Sequence, residues 1–178
     1  NLKIGTIADL INYRIFNEQT VKRLESKSVK TEHGRFNLIL YKDLIFEETH
    51  IVLQKGRISK NTSTLVRVQQ NNLYHDLLNV DEFGTRWSIS DAMKKINKAG
   101  NGIILLIDGD NNKENEFKEI RASKKKRKTI PNNDPRRIGI GSQILRDLGV
   151  KKIKLMGSEV RYPSLSGFDL EVTEYIKK

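Results

Sequence analysis

The sequence has 178 residues, 37% of them hydrophobic and 31% charged, which is enough to bury one core without a metal or a disulfide. It contains no cysteine, so disulfides, thiolate zinc sites, cysteine nucleophiles and iron–sulfur clusters are excluded. No apolar run approaches the roughly 18 residues of a membrane span, and no charged-then-apolar leader opens the chain. We therefore expect a soluble, cytoplasmic protein without membrane contacts.

The first 41 residues predict a short helix followed by a β-hairpin. Thr6 and Asp9 have the spacing of a capping box, which predicts that a helix begins there. Two β-prone runs, Ser26–Val29 and Phe36–Tyr41, flank the turn Glu32–Arg35 and predict the hairpin.

Two further strands and an α/β unit follow. Alternation of apolar and polar residues predicts strands at His50–Gln54 and Thr64–Gln69. Ser90–Ala99 has the periodicity of an amphipathic helix, and Gly100 is placed to end it. The apolar run Gly102–Asp108 then predicts a buried strand, which indicates layered α/β architecture.

A second unit of the same kind lies near the carboxyl end of the chain. A helix is predicted at Ile140–Leu148, ending at Gly149, and a strand at Lys152–Met156. A last strand is predicted from the alternation of three apolar residues, Phe168, Leu170 and Val172.

The net charge of +11, from 33 Lys and Arg against 22 Asp and Glu, favours contact with phosphates, nucleotides or nucleic acid. Much of the excess lies in Arg121–Lys128, within the polar segment Asn111–Pro135, which we predict to be a mobile or partly disordered loop. We interpret the basic stretch as a solvated loop, with a dedicated phosphate or nucleic-acid contact as the alternative.

Several single residues have a structural interpretation that we prefer to a functional one. His33 in a turn and His50 at a strand start are predicted to lie at the surface. Trp87 precedes an apolar helix and is predicted to anchor a core or an interface. Gly139 and Gly141 lack the order and the lysine of a phosphate-binding loop, which favours a tight turn before a helix.

Five segments in order carry a resemblance to a riboflavin-biosynthesis enzyme that extends over almost the whole chain. Ile4–Arg14 resembles the linker that joins 3,4-dihydroxy-2-butanone 4-phosphate synthase to GTP cyclohydrolase II in bifunctional proteins. Val29–Phe36, Leu65–Val68, Ala99–Leu106 and Ile138–Val150 resemble segments of GTP cyclohydrolase II itself.

The resemblance implies an α/β fold in which helices flank a mixed β-sheet. It also implies a linker with a short helix over residues 1–20 and a GTP cyclohydrolase II-like domain over 21–178. A fused synthase domain that uses magnesium and a homodimeric assembly are implied as well.

The resemblance further implies that the zinc site of the family is lost. In the family three cysteines hold the zinc that activates water for opening the guanine ring. Those cysteines fall on Asn72, Phe83 and Thr85, none of which can replace a thiolate. We therefore expect no metal cofactor in this chain.

The nucleotide-binding groups of the family are only partly kept. Its cationic phosphate-binding stretch falls on Asp108–Asn112, where two acidic residues would repel a phosphate, and Tyr162 falls where it has a lysine. Asp134 and Arg136 match its proton acceptor and nucleophile, and Arg67 matches a nucleotide-contacting arginine. These survivors could retain weak nucleotide affinity, but we favour a structural ion pair at a helix start.

A rebuilt metal site is an alternative that we rank low. His75, Asp76, Asp81 and Glu82 lie near the lost zinc segment and are hard ligands. Their spacing is not helical, so we interpret them as an exposed loop.

Three functions are weighed on these grounds. The first is a non-enzymatic cyclohydrolase-like domain that supports or regulates a fused synthase, which converts ribulose 5-phosphate to dihydroxybutanone phosphate and formate. The second is a residual GTP cyclohydrolase II with a rebuilt site. The third, a basic nucleic-acid binding module, ranks last because no aromatic residues interleave the lysines.

Overall fold

The computed structural model describes residues 10, 13–14, 17–70, 76, 87–108, 135–160 and 162–178. In this part of the chain, one mixed sheet has the strand order β1-β2-β3-β5-β4-β6-β7. The strands are β1 (Val21–Thr31), β2 (Gly34–Asp43), β3 (Thr49–Lys55), β4 (Thr64–Gln70), β5 (Gly102–Ile107), β6 (Lys152–Met156) and β7 (Glu171–Ile176). The helices are α1 (Ile89–Ala99), α2 (Pro135–Asp147) and a short 3-10 helix (Pro163–Phe168). The predicted α/β fold with a mixed sheet and flanking helices is confirmed.

The antiparallel half of the sheet begins with the predicted hairpin, whose strands are longer than the sequence indicated. Strand β2 pairs with β3, and β3 pairs antiparallel with β5. The edge strand β1 has exposed side chains from residue 22 to residue 28 and a bulge between Arg23 and Glu25. Lysines and a bulge on an edge strand discourage pairing with the edge of another sheet.

The parallel half consists of β5, β4, β6 and β7. The crossover β4–α1–β5 runs in one direction across the sheet, and β5–α2–β6 runs back over β4 in the other. Because crossovers of this kind are almost always right-handed, opposite directions put α1 and α2 on opposite faces of the sheet.

The core has two layers that meet at β5. Ile103, Leu105 and Ile107 belong to the buried cluster on the α2 face, whereas Ile104 belongs to the cluster on the α1 face. Strand residues alternate between faces, and both faces of β5 are covered, which explains why its sequence is continuously apolar.

Helix α1 matches its prediction to within one residue. The Ser88 side chain accepts a hydrogen bond from the Asp91 backbone N–H at 3.1 Å, and Gly100 ends the helix with a left-handed φ of 82°. Trp87 lies in the α1-face core as predicted, 9% exposed, and its Nε1 donates to the Ile176 carbonyl at 3.0 Å.

Helix α2 begins earlier than predicted, at Pro135 rather than at Ile140. Proline suits the first position of a helix because that residue has no helical N–H bond to lose. The prediction of a turn at Gly139 and Gly141 was therefore wrong, since both lie inside α2. A Cβ on Gly141 would lie 3.3 Å from Cδ1 of Ile107, so the missing side chain lets α2 approach β5 closely.

The last predicted strand was wrong in its first half. Phe168 ends the 3-10 helix, Asp169 adopts a left-handed φ of 59°, and β7 begins only at Glu171. Phe168 and Leu170 are buried in the α2-face core, so alternation in burial arose from a turn instead of a strand.

Two further predictions fall wholly or mainly on residues that the structure leaves out. Leu10, Tyr13, Arg14 and Asn17 are helical, but the capping residues Thr6 and Asp9 lie outside the described residues, as does the basic stretch 121–128. No helix in the described part of the chain is long and apolar enough to cross a membrane.

Gly102 provides a test of the close packing between α1 and β4. It has a φ of +154°, and an added Cβ would lie 2.9 Å from the Leu65 carbonyl oxygen and 2.8 Å from Ile96 Cγ1. We expect Gly102→Ala to lower the free energy of unfolding by about 2–4 kcal/mol in urea titrations. Gly100→Ala is the control, because its φ is +82° but nothing lies within 4 Å, and it should cost only about 1 kcal/mol. Equal losses in the two variants would contradict the packing argument.

Candidate functional site

A cavity of about 340 Å³ lies where β4, β5 and β6 end, beneath α2. The carboxyl ends of parallel strands are the usual position of ligand sites in open α/β sheets. Most of the wall is apolar, with polar groups at a few positions. The apolar wall includes Val68, Ile107, Ile138, Leu145, Leu155, Met156, Val160 and Leu165, and the polar groups include Arg67, Gln69, Gln70, Arg137, Ser142, Ser158 and Tyr162.

Arg67, which the resemblance matches to a nucleotide-contacting arginine, lies in this wall, and its guanidinium is bound by other groups of the protein. It donates to the carbonyl of Met156 at 2.9 Å and to the carbonyl of Trp87 at 3.2 Å. Its Nε donates to Gln69 Oε1 at 2.9 Å. These bonds tie the end of β6 to the start of α1, which gives Arg67 a structural role in the cavity wall.

The chain of hydrogen bonds continues from Arg67 to Asp76. Gln69 donates to Asp76 Oδ2 at 2.8 Å, and the Ile89 backbone N–H donates to Asp76 Oδ1 at 3.4 Å. Asp76 belongs to the alternative metal site that the sequence offers. The other three residues of that site, His75, Asp81 and Glu82, lie outside the described residues. The structure uses Asp76 to position Gln69 and the first turn of α1.

Tyr162 lines the cavity at the position where the resemblance implied a lysine. Burial raises the pKa of its phenol above the ordinary value, the neighbouring Tyr175 adds to this, and Arg67 opposes it. At neutral pH the wall therefore presents a neutral hydroxyl instead of an ammonium group.

Arg136 is in the first turn of α2 and does not belong to the cavity wall, whereas the next residue, Arg137, does. The Arg136 guanidinium donates to Glu48 Oε2 at 2.5 Å and lies 3.9 Å from Asp43 Oδ2. It also stacks on the ring of Phe46 at 3.4 Å. Sequence reasoning missed Arg137 and these partners of Arg136. Asp134, which the sequence pairs with Arg136, lies outside the described residues. The zinc-ligand positions 72, 83 and 85 lie outside them as well.

The surface prediction was wrong for His50, and His33 is only partly exposed. His50 is 0% exposed in β3, because that strand lies inside the sheet, and its Nδ1 accepts from the Asp108 backbone N–H at 3.1 Å. The His33 side chain is 12% exposed, and its Nε2 lies 2.8 Å from Ser90 Oγ on α1. A turn is exposed only where no neighbouring element packs on it, which the sequence did not show.

The buried Asp43 and His50 form a polar cluster with the half-buried Glu48 and Arg136 beneath the β2–β3 loop. One carboxylate oxygen of Asp43, one of Glu48 and one ring nitrogen of His50 lie within 4.8 Å of one another, which is close enough for one metal ion. The chemistry does not fit a metal, however. Because Nδ1 of His50 accepts a hydrogen bond, the neutral ring carries its proton on Nε2, which a metal would require to be bare. The Arg136 guanidinium already supplies the positive charge.

These groups stand in a fold whose family is recognisable by comparison. The model of the GTP cyclohydrolase II family matches residues 22–177. The chain belongs to this family.

Relatives of the chain carry names from riboflavin biosynthesis. A 3,4-dihydroxy-2-butanone 4-phosphate synthase from Pseudomonas aeruginosa is 41% identical over 98% of this chain and 48% of its own length. The riboflavin biosynthesis protein RibBA from Aquifex aeolicus is 35% identical over 99% of this chain and 46% of its own length. A solved structure is also similar: the crystal structure of RibBX, a two domain 3,4-dihydroxy-2-butanone 4-phosphate synthase from A. baumannii. It is 36% identical in sequence with a TM-score of 0.66, and the match covers 99% of this chain and 46% of that chain. The chain thus spans about half the length of these relatives.

The buried imidazole predicts a specific pH dependence of stability. Burial lowers the pKa of His50 below its ordinary value of 6.5, although the nearby carboxylates oppose this. Below pH ~6.5 the unfolded chain binds a proton on His50 that the folded protein does not bind. The stability that His50 contributes in its neutral form is therefore complete above pH ~6.5 and declines as the pH falls below it. We expect His50→Gln to flatten the slope of unfolding free energy against pH between about 5 and 6.5, measured by urea titration. An unchanged slope in this range would show that His50 does not titrate in this way.

The Arg136–Glu48 pair is expected to contribute to stability as a coupled unit. The two side chains are 25% and 23% exposed, between a surface pair and a fully buried one. A double-mutant cycle with Arg136→Met and Glu48→Gln should therefore give a coupling energy of about 1–3 kcal/mol in urea unfolding. Additive effects of the two substitutions would show that the pair contributes no coupling energy to the stability of the fold.

Proposed function

We propose that the chain is the GTP cyclohydrolase II-like half of a longer riboflavin-biosynthesis protein and does not open the GTP ring. Its role is to support or regulate a fused 3,4-dihydroxy-2-butanone 4-phosphate synthase, which converts ribulose 5-phosphate to dihydroxybutanone phosphate and formate. The parent protein would then act as a lyase in the cytoplasm, with magnesium used in the synthase half.

The observation that carries this proposal is the absence of cysteine from all 178 residues. A catalytic zinc in the family is held by thiolates and brings the pKa of bound water close to ~7. The amide of Asn72, the ring of Phe83 and the hydroxyl of Thr85 cannot take over that role. The cluster of Asp43, Glu48 and His50 does not replace it either, because Arg136 neutralises its carboxylates and His50 Nε2 carries a proton.

The groups that would bind and attack a nucleotide also support a loss of catalysis. The Arg67 guanidinium donates hydrogen bonds to two backbone carbonyls, and Arg136 is bound to Glu48 outside the cavity wall. At the end of β5, Asp108 begins the stretch where the family has cations. A carboxylate there repels a triphosphate.

The names of the relatives agree with this assignment. Five of them, 32–41% identical, are named for the synthase, although this chain covers 47–48% of their length. A domain that makes up about half of such a protein is expected to contribute to its stability, to its assembly or to the regulation of its synthase. The retained cavity, with Arg137 and Tyr162 in its wall, is where a small-molecule effector would act.

The test compares the whole parent protein with a version that lacks residues 21–178. We expect the shortened protein to lose synthase turnover, homodimer mass in light scattering, or about 4 °C or more in Tm. Identical values for all three quantities would leave the domain without the proposed role.

A separate assay addresses catalysis by the domain itself. The whole protein is incubated with GTP and zinc, without ribulose 5-phosphate, so that the synthase cannot release formate. We expect neither formate nor a diaminopyrimidine product. Turnover of GTP in this assay would establish a residual cyclohydrolase with a rebuilt site and overturn the proposal.

A further inference from the structure

Three consecutive apolar side chains are exposed in the loop between β2 and β3. Leu44 is 55% exposed, Ile45 40% and Phe46 48%. We call residues 44–46 the apolar loop. Single exposed apolar residues are ordinary, but a contiguous group of three indicates a contact surface.

The apolar loop is held in one conformation by hydrogen bonds at its base. The buried Asp43 carboxylate accepts from the backbone N–H of Ile45 at 2.8 Å and of Phe46 at 3.4 Å. The Asp43 N–H donates to the Glu48 carbonyl at 2.9 Å. Glu47 has a φ of +59°, a conformation that costs about 1 kcal/mol or more for a residue with a side chain.

The polar cluster of Asp43, Glu48, His50 and Arg136 supports the same loop from below. Arg136 stacks on Phe46 and binds Glu48, so the first turn of α2 holds the carboxyl-terminal end of the loop. A backbone conformation of this kind persists only when its surroundings determine it. The fold thus presents three apolar side chains in a preorganised form, which reduces the entropy lost when a partner binds.

We propose that the apolar loop docks the companion half of the same polypeptide, the synthase half of the proposed parent protein on which this inference rests. The relatives are about twice as long as this chain. The family match covers residues 22–177, so a leading segment of this chain, residues 1–21, lies outside the matched domain. Thr20, at the end of that leading segment, accepts a hydrogen bond from the Leu44 N–H at 2.8 Å.

The leading segment itself carries exposed apolar residues. Leu10 is 58% exposed and Tyr13 61%, and they lie three positions apart in helical backbone, on one side of a helix. These side chains add exposed apolar surface to the segment that leads into the domain. Contacts between domains of one chain typically bury about 600–1,500 Å², and a few apolar anchors can dominate such a contact.

The charge beside the loop favours a companion domain over a second copy of this chain. Strand β1, which begins opposite Asp43, exposes four cations and one carboxylate along residues 22–30. A symmetric contact between two copies would bring these like charges together. The surface that receives the loop should therefore have an apolar centre and an acidic rim.

The experiment uses the full-length parent protein with Leu44→Asp and Ile45→Asp combined. Both substitutions leave the backbone bonds to Asp43 in place, and circular dichroism checks the fold. The matched control combines Leu44→Met and Ile45→Met, which keeps the loop apolar. We expect the aspartate variant, and not the methionine variant, to raise the rate of proteolytic cleavage between the halves by at least about fivefold. Its radius of gyration in solution scattering should also increase.

Light scattering on the same samples separates the alternatives. Unchanged mass with faster cleavage supports docking between the halves. A fall in oligomeric mass with unchanged cleavage would assign the loop to contacts between copies, and no change in either would mean that the loop docks nothing; both results overturn the proposal. If the double variant does not fold, Ile45→Asp alone is measured in the same way. The deletion of residues 21–178 is measured separately: if the halves dock but that deletion changes neither turnover, nor oligomeric mass, nor Tm, the proposed function is refuted and this inference stands.

Discussion

Burial of β5 on both faces is the constraint on which the other features of the structure depend. Its side chains alternate between the α2 face, where Ile103 and Leu105 pack, and the α1 face, where Ile104 packs. Both helices must cover the same strand from opposite sides, and the crossovers that bring them there run in opposite directions. The carboxyl ends of β4, β5 and β6 consequently meet under α2 and enclose the cavity.

Helix α2 contacts both the cavity and the apolar loop. Arg136 and Arg137 are neighbours in sequence, but successive residues on a helix point about 100° apart. One is bound beneath the apolar loop, and the other lies in the cavity wall. A companion domain on the loop and an effector in the cavity would therefore act on the same helical turn, which provides a physical route for the proposed regulation.

Two arginines that the resemblance assigns to nucleotide chemistry make structural contacts in this fold. Arg67 keeps its place in the wall, where it joins β6 to α1 through backbone carbonyls, so its retention has a structural reason independent of any nucleotide. Arg136 has structural partners as well, Glu48 and Asp43, whereas its predicted pairing with Asp134 lies outside the described residues. Retention of such residues is thus compatible with loss of the cyclohydrolase reaction.

Local patterns in the sequence determined most of the secondary structure, including the hairpin, strands β3 to β6 and helix α1, because side-chain periodicity and caps are properties of neighbouring residues. The missing thiolates could also be established from the sequence alone, since the absence of a residue type requires no fold. Tertiary structure decided the burial of His50 inside the sheet, the start of α2 ahead of its glycines, and the pairing of Arg136 with Glu48 across 88 positions. These depend on strand order and on which elements pack together, and contacts between distant residues leave no periodic trace in a single sequence.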